Sequence, residues 1–225
     1  MRRMRISLYL SKGASIGIGA MIVFIAMVLV AGIAASVLIE TSATLESQSM
    51  SSGRETISEV STGLTVSAIE GYAVSGSDIS KLAILVRPRA GTDTVDISSC
   101  YLELSDESKK IIMNYTSSYY SKPAAGLSDI FSASVFPDFS GDGSATRFGI
   151  LVMNDPDGSI SSNTPLINRY DKVYICINAT AAFSDISERT DIAGMLVPEE
   201  GAPAVIEFTT PGSYSDSVME LYWDM

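Results

Sequence analysis

Ala14 to Ile39 reads ASIGIGAMIVFIAMVLVAGIAASVLI, 26 residues without one charged side chain. As a helix it extends roughly 39 Å at about 1.5 Å per residue, more than the ~30 Å hydrocarbon core of a bilayer. Its backbone groups can be satisfied in lipid only as a helix, so Gly17, Gly19 and Gly32 do not argue against one. Before it stand Arg2, Arg3, Arg5 and Lys12 with no acid among them, and the first charges after it are Glu40 and Glu46. That asymmetry keeps the N-terminus on the cytoplasmic side and sends the rest of the chain outward. A secretory signal peptide has the same basic start, but this apolar core is about twice the usual length and ends without a small-residue cleavage site.

At the near end, Lys12-Gly13-Ala14 resembles the processing site of class III, prepilin-type signal peptides, where a peptidase cuts after the glycine and leaves the apolar segment on the mature chain. The expected organisation is a leader over residues 1–13, a helix over 14–63 and a head over 64–225. Within the helix, Ala31 with Ala35 and Gly32 with Ser36 repeat at four-residue spacing, which lets helices approach closely. Small residues are also simply common in membrane spans.

Past Ile39 the chain becomes polar without a proline. Ala43, Met50, Ile57 and Leu64 recur every seven residues, with Val60 three after Ile57, in a background of Ser, Thr, Glu and Gln. A sparse seam of this kind cannot bury itself and needs copies of itself. Gly63 is a plausible helix stop.

From Leu64 the texture changes to short β-branched and aromatic runs, LTVSAIEGYAV, KLAILVRPR, TVDISSCYLEL, RFGILVMN, KVYICIN and AVIEFTT, divided by Gly, Pro, Asp, Asn and Ser. Six to eight such strands over about 160 residues predict an antiparallel sandwich or barrel. The fold class is therefore α+β, a long apolar helix followed by a β head.

The chain has 225 residues, a formal charge of −11 and no histidine. Loss of residues 1–13 removes four basic residues and no acid, which makes it −15. So acidic a surface disfavours nucleic acid and anionic membranes as partners. Without histidine there is no imidazole base, no histidine metal ligand and no Ser-His-Asp arrangement. No P-loop, nucleophile elbow or dinucleotide fingerprint is present, so an enzyme is not expected.

Two blocks in order, GIGAMIVFIAMVLVAGIAASVLIETSA and then FGILVMNDPDGSI, NTPLINRYDKVYICINATAAF, LVPEEGAP and IEFTTPGSYSDSVMEL, resemble the archaellins, subunits of the archaeal flagellum. Type IV pilins usually carry glutamate at the fifth mature position, and here that residue is Ile18. The resemblance implies an immunoglobulin-like head and a homo-oligomeric helical filament for swimming. It also implies a prepilin-type peptidase, a membrane-inserted precursor, an ATP-driven assembly and rotary motor in the membrane, and an extracellular final location. Two other readings remain open, a pilin-like adhesion filament and a membrane-anchored binding domain.

Three further features carry candidate chemistry. Asp138, Ser140 and Asp142, followed by Gly143, have the alternating oxygen ligands that open a calcium loop, although the closing glutamate is missing. Asn154-Asp155-Pro156-Asp157-Gly158 is a shorter version, and both sequences are equally good turn formers. Asn114-Tyr-Thr116 and Asn178-Ala-Thr180 are N-glycosylation sequons, and archaellins are commonly glycosylated at such sites. Cys100 and Cys176 each lie in an apolar strand run and would pair as a disulfide if oxidised, or serve as small buried hydrophobes.

Overall fold

The computed structural model describes residues 4–74, 77–124, 126–137 and 143–223, with side chains from residue 16 onward. It opens on α1, Met4–Ser61, a single helix of 58 residues. No proline interrupts it, and where the sequence turns polar the hydroxyls bond back onto the helix, Thr41 to the carbonyl of Val37 at 2.8 Å and Thr44 to that of Glu40 at 2.9 Å. The chain separates into two compact units, one ending at Glu55 and the other running from Thr56 to the C-terminus, so the last turns of α1 belong with the head.

The helix ends at Ser61, two residues before the expected stop. Gly63 does not cap it in a left-handed conformation but bridges Ala202, whose carbonyl accepts from Leu64 N at 3.2 Å. A Cβ at Gly63 would lie 2.9 Å from that same carbonyl. Close backbone approach, rather than a positive φ, is what requires glycine here.

The head contains β1 (Leu64–Ala73), β2 (Ile79–Pro88), β3 (Thr94–Asp96), β4 (Tyr101–Ser105), β5 (Lys110–Ser121), β6 (Arg147–Asn154), β7 (Leu166–Asn168) and β8 (Lys172–Asn178). A five-residue helix, α2 (Ala179–Phe183), precedes β9 (Asp191–Val197), β10 (Ala204–Thr209) and β11 (Val218–Trp223). Nine strands form one sheet in the order β10-β9-β4-β5-β6-β8-β2-β1-β11, while β3 and β7 pair separately. The C-terminal run YSDSVMELYW supplies a last strand, β11, which returns to pair with β1.

One departure from the expected antiparallel head is that β5 and β6 run parallel. The sequence between them, residues 122–146, is long enough to carry the chain back to the starting end. The β5–β6 register also slips, with Tyr115 facing Phe148 and Tyr120 facing Ile150, so extra β5 residues loop out between these pairs.

Leu64, Val66 and Ile69 of β1 share a hydrophobic core with Ala204, Ile206 and Phe208 of β10, so the sheet closes over one interior. Strands β2, β6 and β8 are buried on both faces. Their second face, with Ala83, Leu85, Leu151, Tyr174 and Cys176, is covered by Phe131 of a short 3-10 helix, Ile130–Ser132, and by Val135 and Phe136 just after it. That explains why RFGILVMN and KVYICIN lack strand alternation: each residue finds apolar cover whichever way it points.

Candidate functional site

The apolar half of α1 is the first candidate. Fifteen large hydrophobic side chains from Ile16 to Ile39 stand between 52% and 74% exposed in the single chain. They surround the helix on all sides, as in a membrane span or the interior of an assembly. Leu45, Met50, Ile57 and Val60 continue the exposure above them. Ala31, Gly32, Ala35 and Ser36 are all exposed, and a Cβ at Gly32 would meet nothing within 4 Å. Among the described residues, nothing packs against Gly32 that would require its lack of a side chain. Lys12, Gly13 and Ala14 lie within the α1 backbone.

The second candidate is an acid cluster that the pairing of β6 with β8 assembles. Asp155 and Asp157 follow β6, Asp171 immediately precedes β8, and one carboxylate oxygen from each lies within 4.8 Å of the others. Two oxygens bound to one calcium ion at about 2.4 Å each can be at most about 4.8 Å apart, so all three can share an ion. Asp171 is 1% exposed, and its Oδ1 has no hydrogen-bond partner. Its Oδ2 accepts from Asn168 N at 2.8 Å and Ser159 Oγ at 3.3 Å. A buried, half-satisfied carboxylate is costly, and this oxygen is free to accept a cation.

The neighbours hold the other acids in place. Asp155 accepts from the N–H groups of Gly158 at 2.7 Å and Ile160 at 3.1 Å, and from Lys122 Nζ at 2.6 Å. The Asn168 amide and Ser159 hold the Asp157 carboxyl down at about 2. Burial pushes Asp171 up, and the nearby charges of Asp155 and Asp157 add to this. The hydrogen bond that Lys122 donates to Asp155 pushes its own pKa up. Three acids facing one lysine leave an excess of negative charge that a divalent cation would neutralise.

The Asp138, Ser140 and Asp142 loop lies outside the described residues. Sequence reading treated Asp155 and Asp157 as the lesser loop and missed Asp171, which is 14 positions after Asp157. The available signal was an aspartate directly before a strand that follows the NDPDG turn.

The structure decides between two pairs of readings that the sequence leaves open. Cys100 and Cys176 are both free and belong to separate hydrophobic clusters, so they form no disulfide. Burial pushes the Cys100 thiol up to about 12 and that of Cys176 upward as well, which makes both inert hydrophobes. Asn178 is 1% exposed; its amide donates to Pro137 O at 2.8 Å and its Oδ1 caps α2 at Ala181 N. The folded head withholds that sequon from a glycan, whereas Asn114 is exposed on β5.

Residues 14–208 match the family model for archaeal-type flagellin. Flagellin B2 of Methanocaldococcus jannaschii is 40% identical over 203 residues, covering 90% of this chain and 91% of that protein. Flagellin B3 of Thermococcus kodakarensis is 38% identical over 255 residues, covering 95% and 99%. The crystal structure of archaeal flagellin FlaB1 from M. jannaschii is similar with a TM-score of 0.61 and 35% identity, over 71% of this chain and 96% of that one. The archaeal flagellum of Methanospirillum hungatei, at 16% identity, shares the fold with a TM-score of 0.60 over 90% and 98%.

Proposed function

This chain belongs to the archaeal-type flagellin family, and from that premise we propose that it is a structural subunit that polymerises through α1 into the archaeal flagellar filament, with the β head as the outer layer. The observation that carries this reading is the all-round exposure of fifteen large apolar side chains on one helix. Lipid satisfies them in the precursor, and neighbouring copies of α1 satisfy them in the filament. Transfer between two apolar surroundings changes little free energy, so extraction from the bilayer is driven from outside the subunit, by a membrane assembly motor. A prepilin-type peptidase acting after Gly13 releases the chain, and the family match beginning at Ala14 supports that site.

The test is the intact mass and N-terminal sequence of protein sheared from native cells. A start at Ala14 in sedimentable filaments is expected, with any glycan on the peptide containing Asn114. A start at Met1, found only in detergent-solubilised membrane, would sink the reading.

Close helix approach gives a second expectation. Ala31→Leu or Ala35→Leu should reduce filament yield while leaving the thermal unfolding of the head unchanged, because the head's core is built only from residues at Leu64 and beyond. Normal filaments from both variants, counted by electron microscopy, would remove the packing role.

The acid cluster is read as a structural calcium site formed by Asp155, Asp157 and Asp171. Saturating calcium at about 100 times Kd would contribute about 2.7 kcal/mol to head stability. At roughly 2–4 °C per kcal/mol this is a Tm gain of about 5–10 °C, and Asp171→Asn should abolish it. The pH dependence has a definite sign. Without the ion, the raised Asp171 binds its proton more tightly folded than unfolded, so its contribution grows as pH falls through that raised value. Asp157 behaves oppositely, with a contribution present above the ordinary 3.8 and lost as pH falls towards about 2. The ion requires charged carboxylates, so the calcium-dependent gain should shrink on acidification, first where Asp171 takes up its proton. Scanning calorimetry with calcium or chelator across pH checks this; a gain unchanged by Asp171→Asn would dismiss the site.

A further inference from the structure

Eleven basic residues follow Gly13 in a chain with 26 acids, and four of them, Arg87, Arg89, Arg169 and Lys172, line one cavity of about 400 Å³ on the head. All four are exposed. Most of the remaining cations have local work: Lys81 donates to Phe131 O, Lys109 to Ala182 O, Lys110 pairs with Glu103 and Lys122 with Asp155. The cavity's cations are held in position rather than swinging in solvent. Arg89 Nε donates to Leu64 O at 3.1 Å, Arg87 Nε to Ser67 Oγ at 2.9 Å, and the Arg169 guanidinium lies 4.9 Å from the Tyr170 ring. Asp171 backs the cavity; its Oδ2 accepts from Asn168 and Ser159, and its buried Oδ1 is the oxygen offered above to a cation. A concentrated positive pocket on so acidic a protein selects for carboxylates.

The upper part of α1 has the complementary problem. Glu55 and Glu59 are exposed and stand four residues apart, a like-charge arrangement that weakens an isolated helix. At about 100° per residue, both fall roughly 160° around the helix from Ile57. When the Ile57 seam faces other helices, the glutamate pair therefore faces away from them.

We propose that the Arg87, Arg89, Arg169 and Lys172 pocket of one subunit receives the Glu55–Glu59 pair of a second copy of this chain. The proposal rests on the filament reading and adds a specificity contact to it. The acidic pair and the basic pocket are different surfaces of one chain, so when each subunit's pair enters the next subunit's pocket the contact is heterologous and propagates, as an open helical polymer requires. Guanidinium groups in pairs suit this role because their planar forks bind carboxylates bidentately.

The test uses the full chain in cells. Arg169→Cys combined with Glu55→Cys, oxidised in sheared filaments, should give a denaturant-stable ladder of dimers and higher multimers, with single bands from either change alone. Cys100 and Cys176 are buried and take no part. In parallel, R169E/K172E should lower filament yield about tenfold, and adding E55K/E59K should restore it to within about threefold of wild type. Double-cysteine filaments that form without a ladder, or R169E/K172E filaments at wild-type yield, overturn the contact and leave the filament standing. Absence of filaments from wild-type cells overturns the filament reading instead.

Discussion

Cut back to residues 56–225, the chain is expected to fold into a soluble monomer that never polymerises, while the full mature chain forms filaments that do not dissociate on dilution. The head retains both of its hydrophobic clusters after the cut, since every residue in them lies beyond Leu64 or at it. What the cut removes is the fifteen large apolar side chains of α1. Burying each contributes about 1.5–3 kcal/mol, which sums to roughly 20–45 kcal/mol per subunit. Ordering costs and incomplete burial reduce that figure, yet a fraction of it suffices to make loss of a subunit negligible at any dilution. Light scattering coupled to size exclusion reads the result directly. Filaments assembled from the truncated chain would mean that the head, and not the helix, holds the polymer together.

Gly149→Ala should cost the head about 3–5 kcal/mol, in the range reserved for severe core lesions. For a domain of this size that lowers Tm by roughly 10 °C. Gly149 sits in β6 between β5 and β8, where Tyr119 in the looped-out part of β5 and Val135, just past the 3-10 helix, both come against the strand. A Cβ there would lie 1.9 Å from Val135 O and 2.6 Å from Tyr119 O. Both are backbone carbonyls, so relief requires moving chain rather than turning a side chain. The lid bearing Phe131 and Phe136 would lift from Leu151, Tyr174 and Cys176. The opposite outcome, an unchanged melting temperature by circular dichroism, would mean that the lid is loosely seated.

Function in this family was largely legible in residues 14–39, and the reason is physical. An uncharged run of that length has few available environments, and each of them implies lipid or copies of itself. The seam was readable on the same ground at Ala43, Met50, Ile57 and Val60, all exposed on α1, but not at Leu64, which lies past the helix end as the buried first residue of β1. The head was readable only as a class. Its strands announced themselves through β-branched runs, but the parallel pairing of β5 with β6 depends on a crossover whose sequence, residues 122–146, has no periodicity to read.

The site residues divide in the same way. Asp155 and Asp157 stood out as a turn with oxygen ligands, but Asp171 joined them only once β6 and β8 paired. Asn178 satisfies the sequon pattern as well as Asn114 does, yet one is a buried helix cap and the other an exposed strand residue. Cys100 and Cys176 looked alike in their apolar runs and belong to different clusters.

Composition along the chain thus determined by itself that α1 is a helix needing an apolar partner and that a β head follows it, because solvent preference is a property of local sequence. Tertiary structure alone decided which acids meet, which asparagine is reachable, which cysteines part company and where four cations gather. Each of those depends on distances between residues far apart in the chain, and distance is set by strand order and register rather than by residue type.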